Sequence, residues 1–490
     1  MSLQVFLQAR LSGAEDFLAA NPSSRQDSIT YLIGRCAWLN LLCEVVPRAL
    51  LEELKLSQML LGSSSAEQFF LVLAEEDIPR ANDFLTRSAR EIALLSAGTV
   101  RLDWATTENL GSWPVARKRL DDALALDTCA PLSGEQDVAA AFAPTDSSGQ
   151  SIDDAYFSAF GAQLQSAESV GWDSDQPVRL LWTGGQYRWA LREPPSSTDD
   201  GILFPRRIGS TDIGDLAQPE ELAATSEGAH TWGMLVGAVD GLDGYIKSLA
   251  TIEEHIQISV LFKEFFAGEL SLLCTLPEFW RKVTLCFRGG DNFVVMGAWD
   301  ALLTLGREIN RLFESFAEQH LQVGTGLEAR TISIALVTAP ERDTAPNVVF
   351  ENAVDQLKRA RSSEPGTFAL FGRMLEWKRL SDAEELKSSL LRLVRDFNYS
   401  ADYIHDLASV YREAATNRTS RRKAKGGDRP WRTYLRLAQV IPAARGKEVN
   451  NLRTAVIASL IGKRTASAKL RPSGRVGLEW ARLAAETDAR

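Results

Sequence analysis

The chain has little sulfur and little histidine for its length. Its 490 residues carry five cysteines (Cys36, Cys43, Cys129, Cys274 and Cys286) and four histidines (His230, His255, His320 and His405). No two cysteines form a CxxC pair and the histidines do not cluster with them, which excludes a disulfide framework or zinc knuckle and makes a reducing, cytoplasmic location the expectation. The N-terminus, Met1 to Arg10, lacks the apolar core of a signal peptide. No stretch approaches the roughly 18 apolar residues of a membrane span, so no membrane partner is expected. With 45% hydrophobic and 24% charged residues, the chain is long enough for three or four globular domains.

A formal net charge of -10 argues against nucleic acid only as an average. From Arg418 to Arg490 there are 18 Lys+Arg against 5 Asp+Glu, leaving 36 against 59 in the preceding 417 residues. A basic C-terminal segment on an acidic body points to a polyanionic or acidic partner at that end. The run Asn417 to Arg429 alone has the composition of a solvated loop, but the excess continues through Arg432, Arg436, Arg445, Lys447 and Arg453 to Arg475.

Apolar spacing divides the chain. Residues 1 to about 60 read as helices, Ser28–Val46 and Ala49–Leu61, followed by strand Gln68–Ala74, helix Ile78–Leu95, strand Thr99–Ala105 and helix Ser112–Leu126. Residues 131–230 are rich in Ser, Asp, Gly and Pro. They predict a strand pair, Val178–Trp182 and Gln186–Ala190, in a connecting segment with little core of its own. From Trp232 to Arg361 the order is β-α-β-β-α-β, the split pattern of ferredoxin-like palms, and after Leu375 only helical patterns remain. The twelve tryptophans lie mostly within strand and helix patterns and read as core.

The centre of that pattern is Phe287-Arg288-Gly289-Gly290-Asp291-Asn292-Phe293, a tight turn between β-formers that presents a carboxylate at its tip. In a nucleotidyl-transferring palm such a carboxylate pairs with a second on the neighbouring strand, and the two hold magnesium ions that carry a triphosphate. The candidate neighbour, Val236-Gly237-Ala238-Val239-Asp240-Gly241, has alanine where an acid is expected. Asp291 also reads as an acid capping its own turn, and Asp240 and Asp243 as turn acids.

Four segments, Leu222–Gly228, Val239–Ile246, Ser259–Phe266 and the hairpin closing in Gly297-Ala298-Trp299, together resemble the palm of the large subunit of type III CRISPR effector complexes. Ser64–Leu73 resembles that family's first, non-catalytic palm, and the helical C-terminus its closing domain. The resemblance implies an α+β protein with two ferredoxin-like palm domains, an irregular inter-palm segment and a C-terminal helical domain. Its divisions are residues 1–130 (helical N-terminus plus first palm), 131–230 (connecting domain), 231–375 (second palm with the Gly-Gly-Asp-Asn hairpin) and 376–490 (basic helical domain).

The departures from the family carry equal weight. With no histidine before His230, the family's HD nuclease is expected to be absent; the dipeptide His405-Asp406 lies among C-terminal helices, away from the other histidines. The family's hairpin is Gly-Gly-Asp-Asp, and here the second acid is Asn292. Asp291, Asn292 and Asp240 are therefore vestigial catalytic candidates, with Asp291 and Asp240 as the metal ligands. Gly289, Gly290, Asp291, Gly241 and Arg361, the last in place of the family's phosphate-reaching lysine, are the nucleotide-binding candidates. The resemblance requires no cofactor but allows weak binding of magnesium and ATP.

The implied partners are CRISPR RNA, target RNA or DNA, and the backbone and small subunits of the complex. Arg418, Arg421, Arg422, Lys423, Lys425, Arg429, Arg432 and Arg436 are the candidates to meet nucleic acid or a partner subunit. The implied role is architectural. The alternatives are an active cyclic oligoadenylate synthase using ATP and magnesium, and a stand-alone cyclase-like palm protein.

Overall fold

The computed structural model describes residues 3–21, 28–65, 67–129, 151–193, 201–204, 216–321, 330–397, 399–400, 402–409, 446–460 and 471–486. The eight basic candidates between Arg418 and Arg436 lie outside these residues.

The N-terminus departs from the helical expectation. Gln4–Ser12 (β1) is a strand, and it runs between β3 (Gln68–Ala74) and β4 (Arg101–Glu108), with β2 (Leu61–Ser64) beyond β3. Leu7, Ala9 and Leu11 face the main core and Phe6 faces a second one, so both sides of β1 are covered and its period of two is hidden in near-continuous burial. With helices Ser28–Leu54 and Ile78–Leu95, the first domain has the order β-α-β-β-α-β. Helix Trp113–Cys129 covers the opposite side of the sheet, packing Trp113, Ala116 and Leu120 on Phe6 and Phe70.

Helix Ser28–Leu54 is long and apolar enough to cross a membrane, yet 94% of its most apolar window is buried inside the protein. Its Arg35 and Glu44 are also inside, which identifies it as a core helix.

The connecting segment differs from its reading in two ways. Its strands are β5 (Ser169–Trp172), β6 (Tyr187–Arg192) and β7 (Gly201–Leu203), while the predicted strand 178–182 makes only a single bridge, Leu181 to Gly171. Val178 adopts φ 62°, outside strand geometry, and its carbonyl accepts from Trp38 Nε1 at 2.9 Å. The segment also has more core than expected: Phe157, Phe160, Val170, Trp172 and Trp182 join the interior of the first domain.

The second domain follows the predicted pattern and extends it. β8 (Trp232–Val239), β9 (Val283–Arg288), β10 (Asn292–Ala298) and β11 (Ile332–Thr338) pair in the order β11-β8-β10-β9, and β12 (Thr367–Leu370) and β13 (Arg373–Glu376) extend the sheet beyond β11. The two domains share one topology, since the first runs β4-β1-β3-β2. Helices Ile252–Lys263 and Trp299–His320 cover one face of the larger sheet. Pro346–Ser363 covers the other together with the long N-terminal helix. Leu380–Arg395, 402–409, Lys447–Leu460 and Pro472–Ala485 form the expected helical C-terminal unit around Leu390, Ile404, Val456 and Leu478.

The two palms are joined through a buried polar group. The Glu44 carboxylate, on the long helix, is 2.6 Å from Lys263 Nζ at the end of helix Ile252–Lys263 and 2.8 Å from Arg48, and it accepts from Ser64 Oγ of β2 at 3.0 Å. Burial raises its pKa, but Lys263 and Arg48 outweigh that and hold it at about 2. Replacing only Glu44 leaves Lys263 and Arg48 without their counter-ion. Glu44→Gln is therefore expected to cost about 3–5 kcal/mol in chemical denaturation, and Glu44→Leu with Lys263→Met and Arg48→Met, which removes the whole triad, to recover most of the loss. Equal stability of Glu44→Gln and wild type would show that the carboxylate does not hold the domains together.

Candidate functional site at the inter-palm hairpin

β10 runs antiparallel to β8 with Asn292 directly opposite Ala238, and on the other side of β8, Ser333 of β11 also pairs with Ala238. The strand position that would carry a second acid is thus central and buried, and it is a methyl group. The turn closes through Gly289 N donating to Asn292 O at 2.6 Å, while Val239 N donates to Asp291 O at 2.8 Å. A Cβ on Gly289 would lie 2.4 Å from Asn292 Oδ1, so this side chain can fold back over the turn only because residue 289 is glycine.

Asn292 Nδ2 donates to Glu67 Oε1 at 3.0 Å and to Asp291 Oδ1 at 3.3 Å. Glu67 belongs to the β2–β3 turn of the first domain, and across that contact Ser65 lies close to Gly290. Sequence reasoning did not single out Glu67 as a site residue. It is 225 residues from Asn292, and no local pattern links the two.

Asp240 follows β8 and is buried. Its Oδ2 accepts from Thr331 Oγ1 and Ser333 Oγ at 3.0 Å each and from Gly366 N at 2.8 Å. Its Oδ1 lies 3.7 Å from Arg361 Nε, and Arg361 also donates to Val239 O at 3.1 Å. These two candidates are thus engaged with each other and with the ends of β8, β11 and β12. Gly241, at φ 72°, opens helix Leu242–Ser248, and Asp243 in its first turn is exposed. Arg117 of the first domain donates to Ile246 O of that helix. His405 and Asp406 are both exposed on helix 402–409.

Between the turns lies a cleft of about 260 Å³, lined by Arg10, Ser65 and Glu67 on one side and Asp243, Gly290 and Asp291 on the other. Burial, then the neighbouring Glu67, pushes the Asp291 carboxyl up to about 7; Arg361 opposes this and Asp243 adds to it. Burial also raises Glu67, and the Asn292 hydrogen bond opposes that rise.

Magnesium requires near-octahedral oxygen ligation, usually with one or two carboxylates beside substrate phosphates. Here one position is Ala238, Asn292 turns its NH2 end toward the acids, and Asp240 Oδ2 already accepts three hydrogen bonds. Among the described residues no group of three His, Cys, Asp or Glu side chains is placed to hold a metal. The donor set does not fit a paired-magnesium palm centre.

Two ferredoxin-like sheets meeting turn to turn, one with a Gly-Gly-Asp hairpin at the junction, define a double-palm protein. Residues 231–366 match the family described as Cas10/Cmr2, second palm domain, and the chain resembles the large subunit of type III CRISPR complexes. A 128-residue stretch is 26% identical to the CRISPR system single-strand-specific deoxyribonuclease Cas10/Csm1 (subtype III-A) of Thermococcus onnurineus, covering 23% of this chain and 16% of that relative. The fold matches Csm1 in the Csm1–Csm4 subcomplex of the type III-A CRISPR-Csm interference complex, with TM-score 0.70 and 15% identity over 99% of this chain and 70% of that one. A Csm1–Csm4 cassette in complex with one ATP matches at TM-score 0.70 and 15% identity, covering 98% and 70%.

The Asp291 environment makes stability depend on pH. An acid whose folded pKa lies above its unfolded value, near 4, destabilises the fold increasingly as pH rises from about 4 to about 7. Asp291→Asn removes that penalty, so the gain in Tm over wild type is expected to be small near pH 5 and larger near pH 8. A pH-independent difference in thermal melting would assign the effect to another group.

Proposed function

We propose that this chain is the large subunit of an RNA-guided type III CRISPR interference complex, cytoplasmic, and acts there as an architectural and nucleic-acid-binding subunit without nucleotide cyclase chemistry. The observation that carries the reading is the hairpin itself. Asn292 sits opposite Ala238 and donates to Asp291 and Glu67 from the position where a second catalytic acid would ligate metal. Two charges of a metal-binding palm are thereby replaced by a methyl group and an amide, and neither magnesium nor ATP is needed for the proposed role.

Partnership in a multi-subunit assembly is supported by the fold shared with Csm1 of the Csm1–Csm4 subcomplex. A Csm4-like backbone subunit is the proposed neighbour, with CRISPR RNA, target RNA or DNA, and small subunits completing the assembly. The basic segment from Arg418 onward supplies phosphate contacts, which are indifferent to sequence and leave base reading to the guide RNA. Target cutting then belongs to the backbone subunits or to a separate effector.

The complex, purified with its guide RNA, is incubated with ATP, magnesium or manganese, and matching target RNA. The expected product is no oligoadenylate above the no-target background. Oligoadenylate that forms and is lost on Asp291→Ala would overturn the reading in favour of an active synthase. Purification from the native host without guide RNA or partner subunits would favour a stand-alone palm protein instead.

A further inference from the structure

We propose that the Asn292 amide stands in the place of a cation: it ties Asp291 of the second palm to Glu67 of the first and makes the docking of the two turns independent of divalent metal. This deepens the architectural reading, and its test reads melting rather than product.

The case rests on donor and acceptor numbers. Glu67 and Asp291 bring two carboxylates to one partly dry cleft, an arrangement that repels unless a positive or donating group lies between them. A carboxamide NH2 has two N–H bonds, and Nδ2 directs them to Glu67 Oε1 and Asp291 Oδ1, at 3.0 and 3.3 Å. The bond to Glu67 crosses the domain boundary, and the bond to Asp291 anchors the same amide within its own hairpin. The other end of the amide could not face the acids without opposing lone pairs. It is instead tucked over Gly289, where the missing Cβ leaves room.

Asp243 faces the same cleft with one more negative charge, and Arg361 opposes it from the β8 side. Asp240 takes no part, because its Oδ2 is occupied by Thr331, Ser333 and Gly366. A third carboxylate at position 292 would therefore meet acids on two sides and lose the only hydrogen-bond donor that the described residues place between Glu67 and Asp291.

Asn292→Asp makes that change almost without altering size. In EDTA its Tm is expected to fall several degrees below wild type and to recover when magnesium or manganese is added, while wild type melts at the same temperature in both. Adding Glu67→Gln to Asn292→Asp is expected to restore the Tm without metal. An Asn292→Asp protein that melts like wild type in EDTA, or a wild type whose Tm rises with magnesium as much as the variant's, overturns the bridge. Should Asn292→Asp not fold, manganese titration of wild type and Asp291→Asn by electron paramagnetic resonance decides. A bound ion lost with Asp291 overturns the proposal, and identical isotherms support it. Oligoadenylate synthesis by wild type would defeat the functional reading, whereas a failed bridge shows only in these melting and titration data.

Discussion

Glu44 is ionised inside the protein at the meeting point of three elements, and the geometry of the site follows from how that charge is satisfied. Removing a carboxylate from water costs several kcal/mol, so the charge persists only where cations and donors converge on it. Lys263, Arg48 and Ser64 converge, and they come from the second palm, the long helix and β2. Once that helix is placed, Asn40 one turn earlier is placed as well. It accepts from Arg288 N at 3.2 Å and donates to Cys286 O at 3.4 Å, gripping the end of β9 just before the glycines. The Arg288 guanidinium lies over the Phe204 ring, and burial pushes its pKa down to about 9 while Glu44 opposes the shift. The buried charge therefore fixes the hairpin from behind, and Glu67 meets it from in front.

The two palms repeat one topology, which explains why two turns meet. In each, the β2–β3 or β9–β10 hairpin lies at the edge of a four-strand core with the same strand order, and each turn carries a single acid at the junction, Glu67 or Asp291. Facing hairpins place like charges close together. A nucleotidyl-transferring palm neutralises such acids with metal and phosphate, and this one supplies an amide.

The second palm was legible in the sequence because its elements are long and strongly periodic and its hairpin has turn chemistry of its own. Gly289-Gly290-Asp291 and the run Trp232 to Val239 sufficed to place Asn292 near Ala238. β1 was not legible: Phe6 packs on one side and Leu7, Ala9 and Leu11 on the other, leaving no polar face to mark the period. The bend at Val178 was equally hidden, since a residue with φ 62° inside an apolar run carries no turn signal of its own. The strand-end place of Asp240 reads as a turn acid, and only the palm resemblance makes it a metal-ligand candidate. What occupies it are Thr331, Ser333 and Gly366, brought near only by the pairing of β11 with β8 and β12. Glu67 escaped for the same reason, because contacts across domains follow from the fold and not from spacing.

A glycine pair followed by an acid specifies a backbone shape, and the reaction depends on what surrounds it. The turn geometry here would suit a metal site as well as an amide bridge, because Gly289 leaves space at the base of the turn in either case. The difference lies in charge. With Ala238 in the strand and Asn292 in the turn, one donor satisfies Glu67 and Asp291, and Asp243 is the third acid on the cleft. Aspartates at both positions would add two carboxylates to these three, and only cations could hold them together. A palm hairpin thus has two self-consistent solutions, many acids with metal or few acids with donors. An acid at 292 exchanges the donor for a charge, so the first solution is left uncompensated until a cation supplies what the amide gave.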